Sequence, residues 1–263
     1  MLDPALILSG FIVGALVGLT GVGGGALMTP ILILLYGVTP TTAVGTDLVY
    51  ATVTKTFGSI AYIRRGQVNF PYVRWLAIGS VPGSLFAVLV LTPWFEHIGL
   101  DIEKLTTSAL GIMLVVIGLV SIVEKKFFAG KLRDSELVRS EAVQHTYKEA
   151  ILVVGGLLIG LGVGLTSVGS GSILMAVLLL FSELNVLVLI GTDIVHATIL
   201  LAAAGAAHIT RGNVEFPLVG ALLVGSIPGI WIGSRLAQKV PTTMLRYALA
   251  VLLMVSGVKL AMG

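Results

Sequence analysis

Residues 43–83 of this chain return at 189–229, shifted by 146 positions without a gap, and 19 of the 41 positions are identical. The shared positions are not merely apolar. Gly45-Thr46-Asp47 matches Gly191-Thr192-Asp193, Arg65-Gly66 matches Arg211-Gly212, and Phe70-Pro71 matches Phe216-Pro217. Gly79-Ser80-x-Pro82-Gly83 matches Gly225-Ser226-x-Pro228-Gly229. The register extends back to Gly10/Gly156, through Gly14/Gly160 and Gly18-Leu19-Thr20/Gly164-Leu165-Thr166. Asp, Arg and Pro matching in register mark a duplicated unit, so whatever one half folds into, the other must follow.

The unit is built for lipid. The chain is 56% hydrophobic and 11% charged, whereas a soluble domain carries about 25% charged residues. About 20 apolar residues span a bilayer as a helix. Apolar segments fall at 4–20, 25–38, 42–62, 72–95 and 105–123, and again at 150–166, 171–187, 188–209, 217–237 and 243–262. The expected fold is all-α and polytopic. An N-terminal membrane repeat covers 1–123, a cytoplasmic linker 124–149 and a C-terminal membrane repeat 150–263. The opening MLDPALILSGFIV has no positive leader region and reads as the first membrane segment.

Basic residues set the orientation. The stretch Glu124–Glu149 holds Lys125, Lys126, Lys131, Arg133, Arg139 and Lys148, which places it in the cytoplasm. An odd number of crossings per half then keeps Arg64, Arg65, Arg74, Arg235, Lys239 and Arg246 inside as well. Halves of opposite orientation are therefore favoured.

The phrase GLTGVGGGALMTP at 18–30 returns as GLTSVGSGSILMA at 164–176. Its small residues, Gly21 to Gly25 and Ser167 to Gly171, separate two apolar segments in each half. Two readings compete. In one, the clusters break a helix, which is tolerable in lipid only where the freed backbone lines a cavity. In the other, they only let helices cross closely, as Gly10, Gly14 and Gly18 do. The first reading gives a substrate site made of Thr20, Gly21, Gly23, Gly24 and Gly25 with Thr166, Ser167, Gly169, Ser170 and Gly171. Two helix N-termini with free N–H groups would suit an anion there. A phosphate loop is not indicated, because no Lys-Ser/Thr follows Gly25.

Ionisable residues inside the spans are functional candidates. Asp47 and Asp193 are the first, although a carboxylate near a helix start can equally be a cap. Tyr50 is matched by His196, which stands three residues after Asp193 and shares a helix face with it, as a proton relay would require. Lys55 is matched by Leu201, so the repeat is asymmetric there. Lys55 could attract an anion, pair with Asp47 or snorkel to the surface. Arg65 and Arg211 read as interface anchors or gate residues. Pro82 and Pro228 are expected to kink their spans.

Other classes find no support in the sequence. Without cysteine there are no disulfides or thiolate metal sites. No HExxH or Ser–His–Asp pattern points to an enzyme, and no cofactor or metal is called for. The net charge of +3, carried in loops, gives no nucleic-acid signal.

Together the doubled GLxGxGGG-type phrase, the GTD, the R-G-x-V-x-F-P loop and the GSxPG span resemble the sulfite exporter TauE/SafE family, also known as TSUP. The resemblance covers nearly the whole chain. It implies a multi-pass transporter of the prokaryotic plasma (inner) membrane, moving sulfite, sulfoacetate or another small organosulfur or organic anion, but does not fix the coupling ion; the expected mechanism is alternating access with coupling to protons. An anion channel or an uncoupled facilitator on the same fold stays open, as does a homodimer. The second copy departs from the first where Gly21 becomes Ser167 and Gly24 becomes Ser170, which would make the site asymmetric.

Overall fold

The computed structural model describes residues 3–20, 25–131, 144–171, 173–175, 178, 184–236 and 242–262. The first half supplies α1 (Pro4–Thr20), α2 (Gly25–Tyr36), α3 (Pro40–Arg64), α4 (Phe70–Phe86), a π-helical turn (Ala87–Leu91), α5 (Thr92–His97) and α6 (Ile102–Lys131). The second supplies α7 (Gln144–Thr166), α8 (Val186–Thr210), α9 (Phe216–Leu236) and α10 (Thr242–Met262). The described residues form no strand. Among the described residues, five stretches are long and apolar enough to cross a membrane: Phe70–His97, Ile102–Ser121, Glu149–Thr166, Leu187–Thr210 and Phe216–Leu236. Shorter apolar helices accompany them at Pro4–Leu19, Ala26–Tyr36 and Ala248–Met262. The chain folds as an all-α polytopic membrane protein. Helices α6 and α7 run further into the 124–149 stretch than its polarity suggested, to Lys131 and from Gln144. Residues 132–143 lie outside the described residues.

The halves interlock instead of standing side by side. Helix α1 lies on α9, with Gly10, Gly14 and Gly18 against the backbone of Leu222, Ser226 and Ile230. At the equivalent place α7 lies on α4, with Gly156, Gly160 and Gly164 against Leu76, Ser80 and Ser84. Side chains at these glycines would strike main chain, so the small residues set the interaxial distance. Both pairs run parallel, since contacts advance together along the two sequences. The equivalent helices α3 and α8 meet each other and run antiparallel: Gly45 faces His208 and Asn213, Gly58 faces Ile194, and Gly191 faces Tyr62 and Gln67. Helices α6 and α10 also run antiparallel, Gly111 opposite Ala261 and Gly118 opposite Ala250.

Both α3 and α8 end the same way. Gly66 and Gly212 take positive φ, 65° and 75°. The N–H groups of Gly66 and Gln67 bond back to Ile63 and Tyr62, and those of Gly212 and Asn213 to Ile209 and His208. This paired bonding closes the last carbonyls of a helix and turns the chain sharply. Asn69 then caps α4 by accepting from the Tyr72 N–H at 3.1 Å. Helices α4 and α9 continue through Pro82 and Pro228.

Candidate functional site

The two Gly-Thr-Asp motifs lie in the second and third turns of α3 and α8, seven residues into each helix. The capping reading of the aspartates therefore fails. Asn185 caps α8, accepting from the Leu187 N–H at 2.9 Å, and α3 starts at Pro40 after Thr39. Each motif instead receives the loop of the other half. A Cβ at Gly45 would fall on the Asn213 carbonyl oxygen, and one at Gly191 on that of Gln67. Thr46 Oγ1 accepts from the Glu215 N–H at 3.1 Å, and Thr192 Oγ1 from the Asn69 N–H at 2.9 Å. Glycine makes room, threonine fastens the loop, and aspartate is left for the interior.

Asp47 is fully buried. One carboxylate oxygen, Oδ2, accepts from two hydroxyls, Thr29 Oγ1 of α2 at 2.8 Å and Ser167 Oγ. The other oxygen, Oδ1, has no hydrogen-bond partner among the described residues. Eight residues along α3, the Lys55 ammonium donates to Ser170 Oγ at 3.2 Å. Lys55 also lies within electrostatic range of both Asp47 and Asp193. A lysine has three donors, so the bond to Ser170 leaves capacity for a further acceptor.

Both serines belong to the interruption after α7. That helix stops at Thr166, whose hydroxyl turns back to the Gly162 carbonyl at 2.7 Å. Ser167 follows at φ 63°, the only non-glycine residue at positive φ among the described residues. An L-residue there is strained by about 1–2 kcal/mol, and Ser167 is held by its N–H to Val163 at 2.8 Å and its hydroxyl to Asp47. Gly169 adopts φ 110°, and the Met175 N–H bonds to the Gly171 carbonyl at 2.8 Å as helix resumes. Thr166, Ser167 and Ser170 are all buried. In the first half α1 ends at Thr20 and α2 begins at Gly25. Gly21, Gly23 and Gly24 lie outside the described residues, as does the side chain of Thr20.

A second pair of contacts obeys the duplication. His196 Nε2 meets Ser80 Oγ of α4 at 2.8 Å, and the Tyr50 hydroxyl lies against Ser226 of α9. His196, Ser80 and Ser226 are fully buried and Tyr50 nearly so. Between them, Ser59 Oγ and Thr198 Oγ1 bridge α3 and α8 at 2.7 Å. The structure thus gathers Asp47, Lys55, Ser167 and Ser170 into one cluster, sets Asp193 within reach of Lys55, and turns His196 to α4. Arg65 and Arg211 stand apart, as the C-cap residues just past the ends of α3 and α8. Arg65 is exposed, and Arg211 pairs with Glu96 at 2.7 Å near the surface. Thr29, Ser80 and Ser226 escaped the sequence reading. For the two serines the signal was there, in the matched GSxPG; Thr29 has no counterpart, since Met175 occupies its place.

Residues 6–260 match the family described as sulfite exporter TauE/SafE. The chain belongs to the TauE/SafE sulfite exporter family. It is 42% identical to the probable membrane transporter protein YjnA of Bacillus subtilis, over 98% of this chain and 100% of that one. Another Bacillus subtilis protein, the probable membrane transporter YdhB, is 25% identical over 93% of this chain and 94% of its own length. A probable membrane transporter of Xylella fastidiosa is 28% identical over 88% and 83%. No solved structure matches. Family and helices together make this a multi-pass TauE/SafE membrane transporter.

Proposed function

We propose that this TauE/SafE protein is a secondary carrier of small anions, exporting sulfite, sulfoacetate or a related organosulfur anion by alternating access. The observation that carries the reading is the Lys55 ammonium inside the helix bundle, bonded to Ser170 at the point where helix resumes after α7. A cation at membrane depth is costly and is kept for function. Beside it lie the buried hydroxyls of Ser167 and Ser170, polar groups of the kind an oxyanion needs. Alternating access suits the antiparallel run of α3 against α8 and α6 against α10, which we take as inverted repeats around a central site.

The test is a thermal-shift screen of the purified protein with sulfite, sulfate, sulfoacetate, taurine and simple carboxylates. A ligand present at about a hundred times its Kd adds roughly 2.7 kcal/mol to apparent stability. One sulfur oxyanion or sulfonate should raise the transition, and Lys55→Gln should remove the shift. Reconstituted vesicles loaded with that ligand should then show saturable flux and exchange of labelled for unlabelled anion. Stabilisation that survives Lys55→Gln unchanged, or flux without saturation, counts against the carrier.

A further inference from the structure

We infer that this chain binds one small monovalent cation, in a cavity at the end of the bundle where α3 and α6 begin and α7 and α8 end. The cavity is lined by Thr41 of α3, Thr92 at the close of the π-helical turn, Thr106 of α6, Gly164 of α7, His208 of α8 and Asn213 just beyond it. Asp47, Lys55, Ser167 and Ser170 do not line it, so the site stands or falls apart from the anion-carrier reading. It takes a body the size of a single water molecule, which leaves out a sulfur oxyanion.

The walls offer lone pairs. His208 Nε2 lies 2.9 Å from the Gly164 carbonyl oxygen. A carbonyl only accepts, so Nε2 carries the hydrogen, and Nδ1 of the neutral imidazole is an acceptor. His208 is only 5% exposed, and its Nδ1 has no hydrogen-bond partner among the described residues. Thr41 gives its hydroxyl hydrogen to Glu103 at 2.6 Å, and Thr92 gives its own to the Ala87 carbonyl at 2.9 Å. Each of these hydroxyls keeps only lone pairs for a further contact. Thr106 and Asn213 each bring another oxygen.

The Gly164 carbonyl is one that the interruption sets free. Helix α7 stops at Thr166, and the Val168 N–H that a continuing helix would bring to Gly164 turns instead to Thr166 Oγ1 at 3.3 Å. The cavity therefore meets the C-terminal, negative end of a helix. Behind Thr41, the Glu103 carboxylate accepts from both the Thr41 N–H at 3.0 Å and the hydroxyl, adding its charge one bond away. Arg211, a cation within electrostatic range of His208, is itself paired with Glu96 at 2.7 Å.

A wall of acceptors repels an anion and attracts a cation. Divalent ions call for carboxylate ligands; this wall has none, and no group of three or more His, Asp or Glu that could hold a metal gathers among the described residues. A singly charged ion held by hydroxyls and a carbonyl at a helix C-terminus fits what is present. The duplication provides one such place, because Thr41 is matched by Leu187 and His208 by Tyr62.

The test starts from purified protein in choline chloride, titrated with NaCl, KCl or NH4Cl at constant ionic strength. At least one of the three should raise the melting temperature and saturate, while choline, too large for the cavity, should not. Calorimetric titration of that ion into the wild-type protein should give one site per chain, a measurement that needs no variant. Thr92→Val and Thr106→Val each delete one oxygen at nearly constant shape, and each should raise the half-saturating concentration about tenfold, the loss of one polar contact. Thr107→Val, on the same helix but outside the cavity, and Lys55→Gln should leave it unchanged. A preference for Na+ or K+ identifies coordination by the oxygens, and a preference for ammonium identifies donation to Nδ1 and the hydroxyls. A melting temperature that follows ionic strength alone, no titratable site in the wild type, or a response unchanged in both valine variants would overturn the inference. So would a response that changes in Lys55→Gln, which would place the cation beside Asp47 and Asp193 instead.

Discussion

At the scale of single residues, the two copies of the glycine phrase differ where chemistry is added. Position 167 is a serine where the first copy has Gly21, and it takes the one backbone conformation that glycine would adopt freely. The strain is tolerated because the hydroxyl reaches Asp47. Two substitutions separate these effects. Ser167→Gly relieves about 1 kcal/mol of backbone strain and loses a hydrogen bond to a buried carboxylate that is worth about 1.5–3 kcal/mol. Ser167→Ala loses the same bond and keeps the strain. Both variants should melt below wild type in detergent, with the alanine variant lower than the glycine one by an amount equivalent to about 1 kcal/mol. If Ser167→Ala were as stable as Ser167→Gly, the positive φ at this position would not be a strained state. Lys55 shows the same asymmetry from the other side, since Leu201 fills its counterpart and leaves the ammonium to one half alone.

At the scale of elements, the spans, their order and the doubling were legible in the sequence, because apolar runs of membrane length and an in-register duplication are strong signals. The interruption after α7 could also be read there, since Gly and Ser clusters stop helices. The role of Gly-Thr-Asp could not. Nothing in the spacing tells that Gly45 and Thr46 receive the loop after α8, or that Gly191 and Thr192 receive the loop after α3. That partner lies well over a hundred residues away in each case, and only the crossing of the halves brings it in. The same ignorance made a cap seem as good an explanation for the aspartates as an interior role. The two fastenings are equivalent in geometry, 3.1 Å and 2.9 Å, so their energies should be equivalent too. Thr46→Val and Thr192→Val, close in shape, should each cost about 1 kcal/mol or somewhat more, the cost of leaving a backbone N–H without its acceptor. The double variant should show the sum, because the loops sit at opposite ends of the antiparallel α3–α8 pair. Thermal melts of the three proteins check this. A double variant no worse than either single one would mean that the loops are fastened by something other than these threonines.

At the scale of the whole molecule, the pairing of helices is that of a structure turned onto itself. Helix α1 meets α9 as α7 meets α4, while α3 meets its own counterpart α8 antiparallel, and α6 does the same with α10. A two-fold axis in the plane of the membrane generates this pattern; two copies standing the same way up would place equivalent helices parallel. Sidedness follows directly. The loop after α3 and the loop after α8 are the same element in the two halves, so they should face opposite sides of the membrane. The chain contains no cysteine, which makes single-cysteine labelling clean. Arg65→Cys removes an exposed residue, and Arg211→Cys removes one partner of a surface ion pair whose worth is within about 1 kcal/mol, so neither change should disturb the fold. In intact cells a membrane-impermeant maleimide should modify Cys at 211 and spare Cys at 65, because the basic linker and Arg64–Arg65 belong on the cytoplasmic side. Inverted vesicles should give the reverse result. Labelling of both positions from the same side would mean that the halves share one orientation, and the alternating access proposed above would lose the inverted halves it relies on.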